Sequence, residues 1–144
     1  MGGILYDRGD YKGALNCYQK SLDIYEDLCN LAGMSSCYIN MGNILSSRGD
    51  YEGALKLYQK SLKINEELGD RAGMSICYQN IGLVYKNCGK KSEALEMYQK
   101  CLSLKQELGL PIPSWLPATI KELRGWIGID YDERYIFKNP DWLC

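Results

Sequence analysis

The sequence predicts an all-α protein built from stacked antiparallel helix hairpins, and two observations lead to this prediction. A short motif, Gly-Asp-Tyr-x-Gly-Ala-Leu, begins at Gly9, returns at Gly49, and begins again in weaker form at Gly89, each copy 40 residues after the last. Within each copy, two segments have apolar residues at helical spacing, separated by a glycine and a capping residue. A period of this length is typical of an array in which each repeat buries its apolar face only against its neighbours.

The second repeat shows the two predicted helices most clearly. The apolar residues of its first helix, which we call helix A, form one stripe: Cys37, Tyr38, Met41, Ile44 and Leu45. Gly49 is placed to end that helix, and Asp50 is placed to cap the second, helix B. Because only a short turn separates the two helices, we expect them to be antiparallel neighbours.

Gly42 and Gly82 occupy the same position in the middle of helix A in the second and third repeats. A glycine inside a helix costs about 1 kcal/mol relative to alanine, so its return at one position suggests a packing reason. We predict a close approach of helix B at this point, where Ala54 and Ala94 would present small side chains.

The small and aromatic positions of the repeats resemble the signature of the tetratricopeptide repeat family. In the second repeat these positions are Gly42, Leu45, Gly49, Tyr51, Ala54, Tyr58 and Leu62, and in the third they are Gly82, Tyr85, Gly89, Ala94, Tyr98 and Leu102. The repeat length and the linker Gly69-Asp70-Arg71-Ala72 resemble the 40-residue subclass found in cell-polarity adaptors and bacterial regulator sensor domains. The resemblance covers about residues 1–109 and implies a superhelical stack of hairpins.

The repeats predict the domain organisation of the chain. The array comprises a truncated first repeat, a second repeat and a third repeat, at residues 1–29, 30–69 and 70–109. The first repeat is truncated because Met1-Gly2 aligns with Met41-Gly42, partway through helix A. Either the chain is a piece of a longer array, or the apolar face of its first helix B (Leu15, Tyr18, Leu22) is incompletely covered and favours self-association.

The repeat pattern ends after Gly109, and residues 110–144 form a different segment. Its prolines predict an extended link, followed by a short capping helix from Pro117 to Ile127 with an apolar side made of Leu116, Ile120, Leu123 and Trp126. The following stretch, Tyr131–Phe137, is too aromatic for a typical disordered tail, and we expect it to pack on the array.

Composition argues against several classes of function. A net charge of −1 and a pI near 5.5 argue against binding to nucleic acid or to acidic membrane surfaces, and no apolar run approaches the length of a transmembrane helix. The absence of histidine excludes Ser-His and Cys-His nucleophiles, and no phosphate-binding loop is present. The seven cysteines contain no C-x-x-C pair. We therefore predict no enzyme activity, no cofactor and no metal site, with free structural thiols that indicate a cytoplasmic location.

The resemblance implies where a partner would bind. In this family helix A lines the concave side of the stack, and its partly exposed positions contact peptides. The corresponding positions, which we call the predicted groove residues, are Ile39, Asn43, Ser46, Ser47, Gln79, Leu83, Lys86 and Asn87, with Gly3, Tyr6 and Asp7 as the remnant of the first repeat. The Asn43 amide is suited to contacts with a peptide backbone, and Lys86 to a carboxylate.

One specific partner is disfavoured by the same comparison. Family members that act as chaperone adaptors hold a terminal carboxylate between cations and an asparagine on these helices. In this chain the cation positions are occupied by Ile39, Gln79 and Leu83, and Asn43 alone matches. Binding of chaperone C-terminal tails is therefore not expected.

These observations predict a protein–protein interaction module, a scaffold or adaptor that binds a peptide or helix in the concave groove. Two alternatives stay open at the level of sequence. The chain is a ligand-sensing or structural fragment of a larger regulator, or it is a self-associating structural array, dimerising through its truncated first repeat, with no peptide ligand.

Overall fold

The structure, a computed structural model, describes residues 10–126, and these residues form six α-helices and no strand. The helices are α1 (Tyr11–Asp27), α2 (Leu31–Ser47), α3 (Tyr51–Leu68), α4 (Arg71–Asn87), α5 (Lys91–Leu108) and α6 (Trp115–Trp126). The predicted all-α fold of helix hairpins with a C-terminal helix is confirmed. The chain divides into two compact units: an N-terminal unit, residues 1–70, which contains α1 to α3, and a C-terminal unit, residues 71–144, which contains α4 to α6.

Two predictions concern residues outside the described range. The remnant of the first helix A, with Gly3, Tyr6 and Asp7, precedes residue 10. The aromatic stretch Tyr131–Phe137 follows residue 126. Both predictions, like the repeat boundaries themselves, stay predictions.

In the N-terminal unit, side-chain caps fix the start of each helix. Asp10 and Asp50 accept hydrogen bonds from the backbone N–H groups of Gly13 and Gly53, at 2.9 and 3.0 Å. Asn30 caps α2 in the same way. These bonds satisfy backbone donors that have no partner within the helix, and they confirm the predicted cap at Asp50. The short turns let α2 pack against both α1 and α3.

The α2–α3 hairpin contains a small buried polar cluster. Ser35 at the start of α2 lies 2.6 Å, Oγ to Oγ, from Ser61 on α3, and donates to Asn65 Oδ1 at 2.9 Å. Because Ser35 bonds to both of the other side chains, the three buried groups have hydrogen-bond partners. The cluster also shows that the first half of helix A covers the second half of helix B.

The mid-helix glycines lie where helix B approaches closely, as predicted. A Cβ placed on Gly42 would lie 2.7 Å from Cε1 of Tyr58, and one placed on Gly82 would lie 3.1 Å from the ring of Tyr98. The nearest atoms belong to Tyr58 in one hairpin and to Tyr98 and Met97 in the other, rather than to Ala54 and Ala94. The glycines leave room for a tyrosine ring that is 2% exposed in both hairpins.

In the C-terminal unit, α6 closes the apolar side of α5. Leu116, Ile120 and Leu123 are at most 2% exposed and join one core with Leu95, Tyr98, Cys101 and Leu102 of α5. The capping helix was predicted, but two details were wrong. It begins at Trp115, before Pro117, and Trp126 is 65% exposed with its ring 3.3 Å from Nζ of Lys91, so it does not belong to the buried side.

The apolar face of α1 differs from the expectation for a truncated first repeat. Leu22 is buried, and Leu15 and Tyr18 are half-buried, so these three side chains are not the uncovered ones. The exposed apolar residues are Ile24 and Leu28, with 58% and 69% of their surface accessible. They lie at the C-terminal end of α1.

One turn places a cysteine in a backbone conformation that favours glycine. Cys29 has a φ of +52°, the one positive value among the non-glycine residues from 10 to 126. The same position in the next repeat is Gly69, with a φ of +67°, and the backbone hydrogen bonds that close the two turns are equivalent. The left-handed conformation brings Cβ too close to the following carbonyl oxygen, so Cys29 is strained relative to glycine.

We therefore predict that Cys29→Gly raises the free energy of unfolding by about 1 kcal/mol, because it removes this steric cost. Urea unfolding under reducing conditions, followed by helical circular dichroism, measures the change. Cys88→Gly is the matched control, since Cys88 is also exposed and precedes the next helix, but has no positive φ. An equal gain in both variants would contradict the prediction.

Gly42→Ala tests the close approach of the two helices. The added methyl group would overlap the Tyr58 ring, and we expect a loss of about 1–2 kcal/mol of stability even though alanine is the better helix former. Gly125→Ala in α6 is the control, because its Cβ would meet no atom within 4 Å. It should gain about 0.5 kcal/mol in the same unfolding measurement, and a gain at Gly42 would refute the steric account.

Candidate functional site

In the N-terminal unit, the predicted groove residues lie together on α2. Ile39, Asn43 and Ser46 are half-buried and Ser47 is exposed. Tyr58 on α3 donates its hydroxyl proton to Asn43 Oδ1 at 2.6 Å, and Ser47 donates to the Asn43 backbone oxygen at 2.9 Å. The Asn43 amide is therefore held in place by the core tyrosine, and its two N–H donors remain as the groups it can offer to a ligand.

In the C-terminal unit, three helices enclose a pocket of about 290 Å³, which we call the cap pocket. It is lined by Gln79, Leu83 and Lys86 from α4, Tyr98 from α5, and Trp115 and Thr119 from α6. Three predicted groove residues thus meet in one pocket. The fourth from this repeat, Asn87, is exposed but does not line it.

The cap pocket is partly open to solvent and has a mixed lining, in which Leu83, Tyr98 and Trp115 are the large apolar or aromatic residues. Leu83 is 46% exposed and Trp115 is 41% exposed, so both side chains present apolar surface to the solvent at the pocket. The rings of Trp115 and Tyr98 meet edge to face, with centroids 5.9 Å apart and an angle of 76° between their planes. This contact fixes the Trp115 ring at the edge of the pocket.

The tyrosine that lines the cap pocket, Tyr98, and the thiol of Cys101 in the same core cluster are neutral at physiological pH. Burial, with a smaller effect of Cys101, raises the pKa of Tyr98 to about 12. Burial also raises the pKa of the Cys101 thiol to about 11, against a smaller opposing effect of Lys105. Neither group ionises near pH 7. Among the described lining residues, Lys86 is therefore the one that bears a charge.

The two units differ at one repeated position, and the difference changes the chemistry of the surface. Leu83 stands 40 residues after Asn43, while the tyrosine of helix B is kept as Tyr58 and Tyr98. In the N-terminal unit that tyrosine bonds to an amide. In the C-terminal unit it packs against Trp115 instead. The first surface is thus polar and the second has an apolar centre.

Sequence reasoning missed Trp115 and Thr119, because both lie outside the repeats. The one available signal was an aromatic residue just after Pro113, at the start of the predicted capping helix. Spacing alone does not show that this ring faces α4 and α5 rather than solvent.

A second pocket of about 270 Å³ in the C-terminal unit is a weaker candidate. Its charged side chains already have partners: Arg71 forms an ion pair with Glu107, and Lys100 pairs with Glu96 at 3.2 Å. A charged ligand would have to compete with these internal pairs. The cap pocket has no such competition, and we treat it as the candidate site.

The described residues do not suggest inorganic chemistry. No group of three potential ligands among residues 10–126 is arranged to hold a metal ion. Cys37, Cys77 and Cys101 are buried as predicted for structural thiols, whereas Cys29 and Cys88 are exposed. In the same part of the chain, the helices are too short or too polar to cross a lipid bilayer.

Hairpins of equal length, repeated caps and repeated glycine–tyrosine contacts define a helical repeat protein. A profile of the tetratricopeptide repeat matches residues 1–67 and 34–107, so the chain belongs to the tetratricopeptide repeat family. Members of this family generally mediate protein–protein interactions. None of the curated proteins has a matching sequence.

Solved structures support the fold. The chain is similar to BtubC (BKLC) from P. vanneervenii, with a TM-score of 0.76 and 21% identity over 97% of this chain, although it spans 59% of that protein. Two crystal structures of MamA are also similar, with TM-scores of 0.57 and 0.56, 19% identity, 99% of this chain covered, and 94% and 87% of theirs. At these identities the likeness concerns the fold alone.

Proposed function

We propose that this chain is a scaffold or adaptor that binds a peptide or a helix of a partner protein on the helix A faces of its repeats. The observation behind the proposal is the cap pocket, where the half-exposed side chains of Leu83 and Trp115 lie beside Lys86. Apolar side chains of this size, left open beside a charge, are characteristic of recognition surfaces. The contact area of so few repeats suits an affinity on the order of 1 µM.

The proposed role does not include catalysis. The described lining of the cap pocket contains no carboxylate, thiol or imidazole that could act as acid, base or nucleophile. Cys37 and Cys101 are buried free cysteines, which supports a reducing location, for which we propose the cytoplasm.

A matched pair of substitutions on α4 tests this proposal. Leu83 and Ile76 are exposed to nearly the same extent, 46% and 48%, but Leu83 lines the cap pocket and Ile76 does not. The full chain is first used to select binders from a display library of random linear peptides, and the affinity of an enriched peptide is then measured by calorimetry. We expect Leu83→Ser to weaken binding about fivefold or more, because it removes an anchor contact, and Ile76→Ser to leave it unchanged.

The proposal fails if no peptide is enriched, or if the two variants lose affinity equally. The same selection with Asn43→Ala tests whether the N-terminal unit takes part. Removal of its amide should weaken binding of peptides that contact α2, and should not change the helix content.

Self-association is a second candidate function, favoured by the exposed residues of α1. Ile24 is 58% exposed, whereas its counterpart Ile64 in the next repeat is 8% exposed. The end of α3 lies under the start of α2, as the bond between Ser35 and Ser61 shows. A helix from a second copy, laid across Ile24 and Leu28, would bury Ile24 as its counterpart Ile64 is buried, and would cover Leu28 as well.

Sedimentation velocity at increasing protein concentration tests the second candidate. We expect the wild-type chain to form a dimer and the double variant Ile24→Ser, Leu28→Ser to stay monomeric, because the apolar area that drives association is lost. Leu68→Ser is the control, since Leu68 is the counterpart of Leu28 in the next repeat and is also exposed. A wild-type chain that stays monomeric at every concentration would remove this candidate.

A further inference from the structure

We propose that the cap pocket selects an apolar side chain that has a carboxylate one or two residues away, so that the partner is an acidic peptide with an apolar anchor. The inference rests on the proposed function, and it names the chemistry that the binding site would recognise. It also assigns a specificity role to Trp115 and Thr119 of α6, which lie outside the repeats.

The apolar part of the ligand follows from the walls of the pocket. Leu83 on α4 and Trp115 on α6 both line the pocket with nearly half of their surface exposed, and the buried Tyr98 lines it as well. A side chain inserted here would be covered by two apolar surfaces and one aromatic ring. The volume of about 290 Å³ is at the lower limit of clefts that hold drug-sized ligands, roughly 300–1,000 Å³, so the pocket suits a single side chain better than a complete small molecule.

The acidic part of the ligand follows from Lys86. Among residues 10–126, Lys86 has no ion-pair partner and stacks on no aromatic ring. Other lysines are engaged: Lys56 and Lys100 pair with glutamates, and Lys60 and Lys91 lie over aromatic rings. The lining of the pocket offers a carboxylate a cation without requiring an existing pair to break.

The spacing of the two groups sets the spacing in the ligand. Gln79, Leu83 and Lys86 follow one another at intervals of four and three residues, and therefore lie on one face of α4. Lys86 is about one helical turn, roughly 5 Å, beyond Leu83. An extended peptide covers about 3.3 Å per residue, so an acid one or two positions from the anchor would reach Lys86. Gln79 and Thr119 remain as hydrogen-bonding groups for the peptide backbone.

Helix α6 restricts the proposed specificity to the cap pocket, because the N-terminal unit has no equivalent of Trp115 among its described residues. The equivalent surface of the N-terminal unit has Asn43 where the pocket has Leu83, and its tyrosine bonds to that amide. Trp115 is held by the ring of Tyr98, which lies in the core shared by α5 and α6. The third repeat contributes the face of α4 with Leu83 and Lys86, and α6 contributes the aromatic side chain of Trp115.

The experiment uses the full chain and a display library of random linear peptides as the probe. We expect enriched peptides to share an aliphatic or aromatic residue with Asp or Glu one or two positions away. Lys86→Gln should then weaken an enriched peptide about threefold to fivefold, the effect of one exposed charge pair, and this loss should disappear when the acid of the peptide is replaced by its amide. Trp115→Ala should lower the affinity for the enriched peptide about tenfold or more.

Two control variants match these substitutions. Lys12→Gln removes an exposed lysine from α1, far along the chain from the pocket residues. Trp126→Ala removes an exposed tryptophan from the same helix as Trp115, where the ring contacts Lys91 rather than the pocket. Neither should change the affinity. Because Lys86 is exposed, its variant keeps the test valid if Trp115→Ala is unstable.

The outcomes separate this inference from the proposed function. The inference is wrong if the enriched peptides lack an acid. It is also wrong if the affinity losses caused by Lys86→Gln and by replacing the peptide acid with its amide are additive, because the two groups then do not interact. In both cases the proposed peptide binding still holds. Failure to enrich any peptide overturns the proposed function itself. Binding that appears only after truncation behind Trp126 would mean that the chain fills its own pocket. A change in the sedimentation of the free protein caused by Trp115→Ala would mean that a second copy fills it, and either result overturns the assignment of an external acidic peptide.

Discussion

The contact between a helix A glycine and a helix B tyrosine is the constraint on which the other features of this protein depend. Gly42 and Gly82 have no side chain, so the rings of Tyr58 and Tyr98 can lie directly against the helix backbone. The contact brings the two helices of each hairpin close together and buries a large aromatic surface. It also determines what lies beside each tyrosine: an amide that receives the Tyr58 proton in one hairpin, and a tryptophan ring in the other. The core contact therefore organises the surface that a partner would meet.

Much of the fold was predictable because the information is local and is repeated. Caps, turns and apolar stripes each depend on a few neighbouring residues, and their return every 40 residues reinforced every assignment. The details that failed depend on side-chain direction or on packing between elements. Spacing identified the glycine face of helix A but not the tyrosine that fills it. Pro117 was expected to open the last helix, yet a proline is accommodated in the first turn, and the helix begins at Trp115.

The candidate site was predictable only in part, for the same reason. The resemblance to the repeat family identified Gln79, Leu83 and Lys86, and the structure brings these three together in the cap pocket. Trp115 and Thr119 belong to a helix whose position depends on its packing against α5, and no periodic pattern specifies that position. The bond from Tyr58 to Asn43 was equally hidden, because the sequence identifies a buried tyrosine without showing where its hydroxyl group points.

Divergence between the repeats is most informative where the core is unchanged. Tyr58 and Tyr98 are buried to the same extent, so the core places the same packing requirement on this position in both hairpins. Stability of the free protein gives little reason to replace an asparagine bonded to the tyrosine by a leucine that is 46% exposed. A half-exposed leucine realises only part of its burial free energy, which amounts to about 25 cal/mol per Å² of apolar surface. The remainder becomes available when a ligand covers Leu83 and Trp115 together, and this gain would contribute to binding rather than to folding.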